Sequence, residues 1–141
     1  MKDDTIPDPH HVARLCNPIH IDEGVIQAGA FMLKMGQDNL SVDWLEYLNC
    51  STRGNEITEI RHIYSKKFHR VSTHAQIAVL NVGQMREKVR KESPDRRNLK
   101  VLHNPEVNDQ AHSGIYDLKQ DDELIAELIL ESVLETHLAH G

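Results

Sequence analysis

The chain has 141 residues, 39% of them hydrophobic, and a formal net charge of −6 at pH 7. That length is typical of one domain, and because no apolar run reaches about 18 residues we expect no membrane span. The acidic amino terminus lacks the apolar core of a signal peptide. The two distant cysteines, Cys16 and Cys50, favour reduced thiols in the cytoplasm over a disulfide.

The first third of the chain predicts a lead-in followed by short elements. Residues 1–10 hold three aspartates and two prolines, which is typical of a flexible acidic lead-in to a single domain over residues 11–141. Polar and apolar residues alternate over His11–Cys16, which predicts a strand. Residues 25–33 fit either a buried strand or a short helix, and the spacing in residues 42–48 predicts a short helix.

The middle of the chain predicts two helices around a central strand. Asn55 is expected to cap the first helix, whose apolar stripe runs to Phe68. Residues 75–82 are rich in apolar and β-branched side chains, as in a central strand. Residues 84–92 predict a charged helix.

The last part predicts two short strands, residues 99–103 and 111–118, and a long C-terminal helix over residues 121–139. The order of all elements predicts a small α+β domain, with a mostly antiparallel or mixed sheet packed against helices. The helix side chains expected to face the sheet are Leu124, Leu128 and Val133.

Three residues are the best candidates for catalysis. Ten histidines invite an acid–base interpretation, and His103 and His112 sit at the ends of the two predicted strands. One histidine would take a proton and the other would give one, while Arg14 would bind an anionic group such as a phosphate. The structural alternative is that each histidine binds a carbonyl at its strand end.

Three other chemistries use some of the same residues. Cys16 could be a nucleophile activated by one of the histidines, although a small buried cysteine is the commoner outcome. A zinc site built on Cys16 and histidines lacks close ligand spacing, so no metal ligand is predicted, and the sequence indicates no particular cofactor. The placement of Arg14, Ser41 and Glu106 resembles that in ADP-ribosyltransferases, which would imply that these residues surround NAD.

Two motifs carry a second resemblance. The pattern H-x-A-R-x-C at residues 11–16, L-S-V-x-W-L-E-Y at residues 40–47, and the later His103 and His112 resembles that of small uncharacterised bacterial proteins. Because that group has no known activity, the resemblance implies no site residue, cofactor or partner.

A basic middle lies between acidic ends. Residues 53–100 hold 12 Lys or Arg and 5 Asp or Glu, although the whole chain is acidic. Such a block suits an acidic protein partner, a second copy of the chain, or a nucleic acid. With aromatic residues at only 4%, no base-stacking platform is visible. The side chains predicted to bind are Arg86, Arg90, Lys91, Arg96 and Arg97.

Two functions therefore compete. The first is a small cytoplasmic bacterial accessory domain that binds a protein partner or nucleic acid through the basic middle, without contacting a membrane. The alternative is an enzyme that acts on a phosphate-containing or nucleotide substrate with His103, His112 and Arg14. Clustering of these three side chains in one pocket would favour the enzyme.

Overall fold

A six-stranded antiparallel sheet with helices on both faces dominates the computed structural model, which describes residues 2–140. This architecture confirms the predicted α+β class. The elements in chain order are β1 His11–Cys16, β2 Ile21–Asp22, β3 Val25–Ile26, β4 Asn39–Trp44, α1 Arg53–Lys67, β5 Gln76–Asn81, α2 Val82–Glu92, β6 Lys100–His103, β7 His112–Tyr116, α3 Glu123–Glu131 and β8 Val133–Leu138. The sheet has the order β6-β7-β4-β1-β5-β8, and β2 pairs with β3 separately.

Both faces of the sheet are buried, because successive residues of a strand point to opposite sides. Val12 of β1 belongs to the larger core, together with side chains of α2 and α3. Its neighbour Ala13 belongs to the smaller core, where Ile60 and Tyr64 of α1 cover the sheet. Burial on both faces explains why β5 is an almost continuous apolar run.

The first long helix, α1, begins earlier than the sequence predicts. Oγ1 of Thr52 accepts a hydrogen bond from the backbone N–H of Asn55 at 3.1 Å, so Thr52 rather than Asn55 is the N-cap. The last turn carries Lys66 and Lys67, whose charges complement the negative end of the helix dipole. None of the helices within residues 2–140 is long and apolar enough to cross a membrane.

The predicted helix over residues 42–48 is wrong. Asn39–Trp44 forms strand β4, and only a single 3₁₀ turn, Glu46–Leu48, follows it. The alternate residues Leu40 and Val42 are each only 1% exposed, which is the burial pattern of a strand. The alternate burial of side chains in this strand therefore decides the structure, although the spacing of apolar residues also fits a helix.

Residues 25–33 form neither of the two predicted alternatives as a single element. Strand β3 covers only Val25–Ile26, and a 3₁₀ turn, Ala28–Phe31, follows it. Phe31 is 1% exposed and belongs to the larger core. This segment therefore contributes to the core from an irregular connection.

The predicted C-terminal helix is too long. Helix α3 ends at Glu131, and Val133–Leu138 becomes β8, which pairs with β5 at the edge of the sheet. The strand alternates half-buried and exposed residues, as expected where only one face is covered. Leu128 is buried in the larger core, but Leu124 is 45% exposed and Val133 belongs to the strand.

The acidic lead-in lies along the other edge strand, β6. The backbone N–H of Asp3 donates to the carbonyl of His103 at 2.6 Å, and that of Ile6 donates to the carbonyl of Val101 at 3.0 Å. The side chain of Ile6 is only 1% exposed. The segment therefore protects a sheet edge, a role that the expected flexible lead-in does not include.

Candidate active site

The sheet opens between β1 and β4. Of the described residues of β1, only Val12 and Ala13 pair with β4, whereas the whole strand pairs with β5. Beyond Ala13 the guanidinium of Arg14 donates from Nη1 to the carbonyl of Ser41 at 2.7 Å, in place of a ladder hydrogen bond. Its Nε donates to the carbonyl of Ala30, also at 2.7 Å. The Arg14 side chain thus satisfies backbone carbonyls that the parted strands leave open.

A cavity of about 370 Å³ lies at this opening. Strands β1, β4 and β7 contribute to its wall, together with the C-terminal end of α1 and the loop over residues 104–111. Its volume is within the range of about 300–1,000 Å³ that is usual for ligand sites. The lining residues are Arg14, Leu15, Asn17, Gln37, Ser41, Asp43, Tyr64, Lys67, Phe68, Arg70, Glu106 and His112.

A pair of buried carboxyl groups forms the most unusual feature of this wall. Asp43 lines the cavity, and its side chain interacts with that of Asp109. Within residues 2–140, Oδ1 of each aspartate is buried and has no hydrogen-bond partner. Burial, followed by the hydrogen bond and charge of Asp109, raises the pKa of Asp43 well above its usual range.

Lys67 contacts this acidic cluster from α1. Its Nζ lies 3.2 Å from Oδ2 of Asp109 and 2.7 Å from Oε1 of Glu106. Burial alone would lower the pKa of Lys67, but the hydrogen bond that it donates to Glu106 and its interactions with Asp43 and Asp109 outweigh burial and raise that pKa. The ammonium therefore offsets part of the negative charge of the cluster.

Tyr64 supports this arrangement from α1. The side chain is buried, with the residue only 3% exposed, and it interacts with Asp43. Burial, followed by this interaction with Asp43, raises the pKa of Tyr64 well above its usual range. The tyrosine is therefore a neutral phenol beside the Asp43 carboxyl.

His112 stands beside Asp43 on the next strand. The two residues are directly opposite in the register of β4 and β7, so their side chains share one face of the sheet. Nδ1 of His112 is 2.8 Å from the carbonyl of Asn104, which can only accept, so Nδ1 carries a hydrogen. In the neutral ring Nε2 therefore keeps a lone pair and can act as a base.

The three residues predicted to be catalytic do not all meet. Arg14 and His112 line the same cavity, but His103 does not. His103 is opposite Ser113 rather than His112, which places it on the other face of the sheet. Its Nε2–H donates to the carbonyl of Gln110 at 2.7 Å, and its ring packs on Trp44. Both histidines therefore bind a carbonyl, and only His112 also lines the cavity.

Sequence reasoning missed several residues of the site. Asp43, Tyr64 and Lys67 are not among the site residues that the sequence predicts. A signal was present for Asp43, because an ionisable residue among the apolar positions of a buried strand needs a special environment. Nothing in the sequence indicated the contact of Lys67 with Asp109, since these residues are brought together only by the fold.

The three other chemistries differ in how well they agree with the structure. Burial raises the pKa of the Cys16 thiol to about 11, which argues against a nucleophilic cysteine. Among residues 2–140, no group of three or more His, Cys, Asp or Glu side chains could hold a metal ion. Arg14, Ser41 and Glu106 do line one cavity, so NAD chemistry stays a prediction.

The basic face is largely paired within the chain. Four of its five predicted binding side chains form ion pairs. The pairs are Arg86 with Asp8, Arg90 with Glu87, Lys91 with Glu87, and Arg97 with Asp95 and Asp122. Arg96 has no such partner among the described residues, and it occupies a turn with φ of 50°. The charge of this face is partly neutralised, and binding of a polyanion or a protein partner through it stays a prediction.

No family model, no curated protein and no solved structure matches the chain. The two resemblances noted in the sequence therefore remain expectations. Function has to be inferred from the residues of the cavity.

Proposed function

We propose that the protein is an acid–base enzyme that acts on a phosphate-bearing small molecule in the cavity beside Asp43. The observation that carries the proposal is a buried carboxyl with a raised pKa on the cavity wall, opposite His112 in the strand register. Ionisable groups whose pKa values are shifted by burial and by a specific partner cluster at catalytic sites. A carboxyl group and an imidazole side by side can serve as the acid and the base that proton transfer needs.

Two arginines supply the preference for an anion. Arg14 and Arg70 line the cavity, and neither forms an ion pair with a carboxylate of the described chain. Burial lowers the pKa of Arg14, because water no longer solvates its charge. A bound phosphate would restore that solvation through charge-assisted hydrogen bonds, which planar guanidinium groups form well.

Hydrolysis of a phosphate ester illustrates the proton balance. Water forms the new P–O bond and passes its proton to Nε2 of His112, while the bond to the leaving oxygen breaks and Asp43 protonates that oxygen. Asp43 is then a carboxylate and His112 an imidazolium. Because they are cross-strand neighbours, return of one proton from His112 to Asp43 restores both groups. Arg14 and Arg70 offset the charge on the phosphate.

The test compares two cavity variants with a matched control outside the cavity. Asp43→Asn removes the donated proton, and His112→Asn keeps a side-chain N–H for the carbonyl of Asn104 but removes Nε2. His103→Gln is the control, because its amide replaces the N–H that donates to Gln110. The probes are p-nitrophenyl phosphate and bis(p-nitrophenyl) phosphate for turnover, and inorganic phosphate for binding by ³¹P NMR.

We expect each cavity variant to lower turnover by about 10²–10⁴-fold while His103→Gln leaves it unchanged. Circular dichroism and thermal melts confirm that each variant is folded. Absence of both turnover and phosphate binding in the wild-type protein would contradict the proposal. An equal loss in His103→Gln would contradict the assignment of the acid and the base.

Transfer from NAD is the second candidate, favoured by the meeting of Arg14, Ser41 and Glu106 in one cavity. In that reaction the bond between ribose and nicotinamide breaks, and the ADP-ribosyl group passes to water or an acceptor. Release of nicotinamide from NAD measures it. Loss in Glu106→Gln but not in the exposed Glu127→Gln would support the candidate, and absence of release would exclude it.

A further inference from the structure

A second cavity adjoins the first and extends the binding site. It has a volume of about 540 Å³ and shares Asn17 and Arg70 with the cavity that holds Asp43. We propose that the substrate is a nucleoside phosphate that lies across both cavities, with its phosphate at Arg70 and its base in the second cavity. This inference rests on the proposed function and specifies the class of substrate.

Arg70 marks the position of the phosphate. It is exposed and lines both cavities. Within residues 2–140, Arg70 and Arg96 are the two arginines whose guanidinium groups form neither a hydrogen bond nor an ion pair, and Arg96 lies in a surface turn and lines neither cavity. A guanidinium without a partner at the junction of two cavities is suited to an anionic group that joins the two parts of a ligand.

The second cavity differs in chemistry from the first. Its apolar wall consists of Pro18, Ile19 and Val71, and the hydroxyl-bearing Ser72 and Thr73 lie beside that wall. A flat heterocyclic base needs this combination, since its faces are apolar and its edge forms hydrogen bonds. A sugar phosphate would leave the apolar wall uncovered, and a lipid chain would leave the polar groups unused.

The exposure of Ile19 adds to this argument. Its side chain is 85% exposed, although isoleucine is among the residues most often buried. The 3₁₀ turn Pro18–His20 holds it at the rim of the second cavity. A base stacked on Ile19 would remove this apolar surface from water, which is a favourable contribution to binding.

Calorimetric titration tests the proposal with AMP, GMP, CMP and UMP, and with ribose 5-phosphate and inorganic phosphate as ligands without a base. The variants are Arg70→Gln, with Arg96→Gln as its matched control, and Ile19→Ser, with Val107→Ser as its matched control. Val107 is 99% exposed and lines neither cavity. None of these variants changes a buried side chain, so all are expected to fold.

We expect at least one nucleoside monophosphate to bind about tenfold or more tightly than ribose 5-phosphate. Arg70→Gln should weaken all phosphate ligands by about tenfold or more. Ile19→Ser should weaken only the nucleotides, and neither control should change any affinity.

Two results separate this inference from the proposed function. If ribose 5-phosphate binds as tightly as every nucleotide, or Ile19→Ser behaves like Val107→Ser, the second cavity does not hold a base and the inference is wrong. The proposed function would still stand in that case. If none of the phosphate ligands binds, or Arg70→Gln behaves like Arg96→Gln, the phosphate assignment itself fails.

Discussion

The buried carboxyl groups of Asp43 and Asp109 interact with each other, and Nζ of Lys67 lies 3.2 Å from Oδ2 of Asp109. Both aspartates are nearly inaccessible to water, at 1% and 2% exposure. Burial and the neighbouring carboxyl group of Asp109 raise the pKa of Asp43 well above its usual range. The stability of the protein should therefore respond to pH through Asp43.

Asp43→Asn tests this response. The folded-state pKa of Asp43 is raised, so the folded chain keeps a proton that the unfolded chain releases above about pH 4. The contribution of Asp43 to the free energy of unfolding is fully present below about pH 4 and is lost as the pH rises through the raised pKa of the folded state. Asparagine mimics the protonated acid, so the variant should match the wild type near pH 4 and become progressively more stable than it towards pH 8.

Urea denaturation at several pH values measures the difference between the two proteins. Asp22→Asn is the control, because Asp22 is exposed in the hairpin of β2 and β3. Its stability should differ from that of the wild type by a constant amount. A constant difference for Asp43→Asn as well would mean that Asp43 is ionised in the folded protein.

Removing Lys67 should be strongly destabilising. Lys67→Met leaves the fully buried side chain of Asp109 without its cationic partner, and breaking a buried pair typically costs about 3–5 kcal/mol. Lys66→Met, one residue away on the exposed side of α1, should change the free energy of unfolding by less than about 0.5 kcal/mol. Adding Asp109→Asn to Lys67→Met should recover part of the loss, and similar values for the two lysines would show that the contact between Lys67 and Asp109 does not stabilise the fold.

Helix α3 offers a matched pair of leucines. Leu128 is 5% exposed and Leu124 is 45% exposed on the same helix. Leu128→Ala should lower the free energy of unfolding by about 2–5 kcal/mol, because a buried side chain leaves a cavity. Leu124→Ala should cost less than about 1 kcal/mol, and denaturant titration of both variants checks the contrast. Equal losses would show that α3 packs on the sheet through a different face.

The two cysteines should react at different rates. Cys16 is 1% exposed and burial raises its pKa to about 11, whereas Cys50 is partly exposed. Iodoacetamide at pH 8 should modify one thiol in the native protein and two in the unfolded protein, as counted by mass spectrometry. Native Cys50→Ser should then remain unmodified, and rapid labelling of that variant would show that Cys16 is accessible.

The periodicity of apolar residues predicts the strands that are buried on both faces. It does not predict where a helix ends and the next strand begins. The alternation in His11–Cys16 and the apolar run near residues 75–82 correspond to β1 and β5. The helical spacing of the C-terminal segment continued past Ser132, although the chain turns there into β8. Pairing with β5 decides that turn, and pairing between distant strands leaves no mark in a local window.

Which residues meet in the candidate site depends on the register of the strands. A pairing of His103 with His112 would have placed both rings on one face, but the observed pairing of His103 with Ser113 separates them. A shift of one residue thus decides whether two histidines can share a substrate. Likewise, the contact of Lys67 with Asp109 joins residues from a helix and a distant loop.

The parting of β1 and β4 makes the cavity a property of the main chain. The Arg14 side chain donates to the carbonyls of Ser41 and Ala30, so its guanidinium lies between the two strands. Its charge is therefore placed at the gap. Contacts within the chain consequently hold the gap between the two strands. A shorter side chain in place of Arg14 would leave the carbonyls of Ser41 and Ala30 without this donor and open to water.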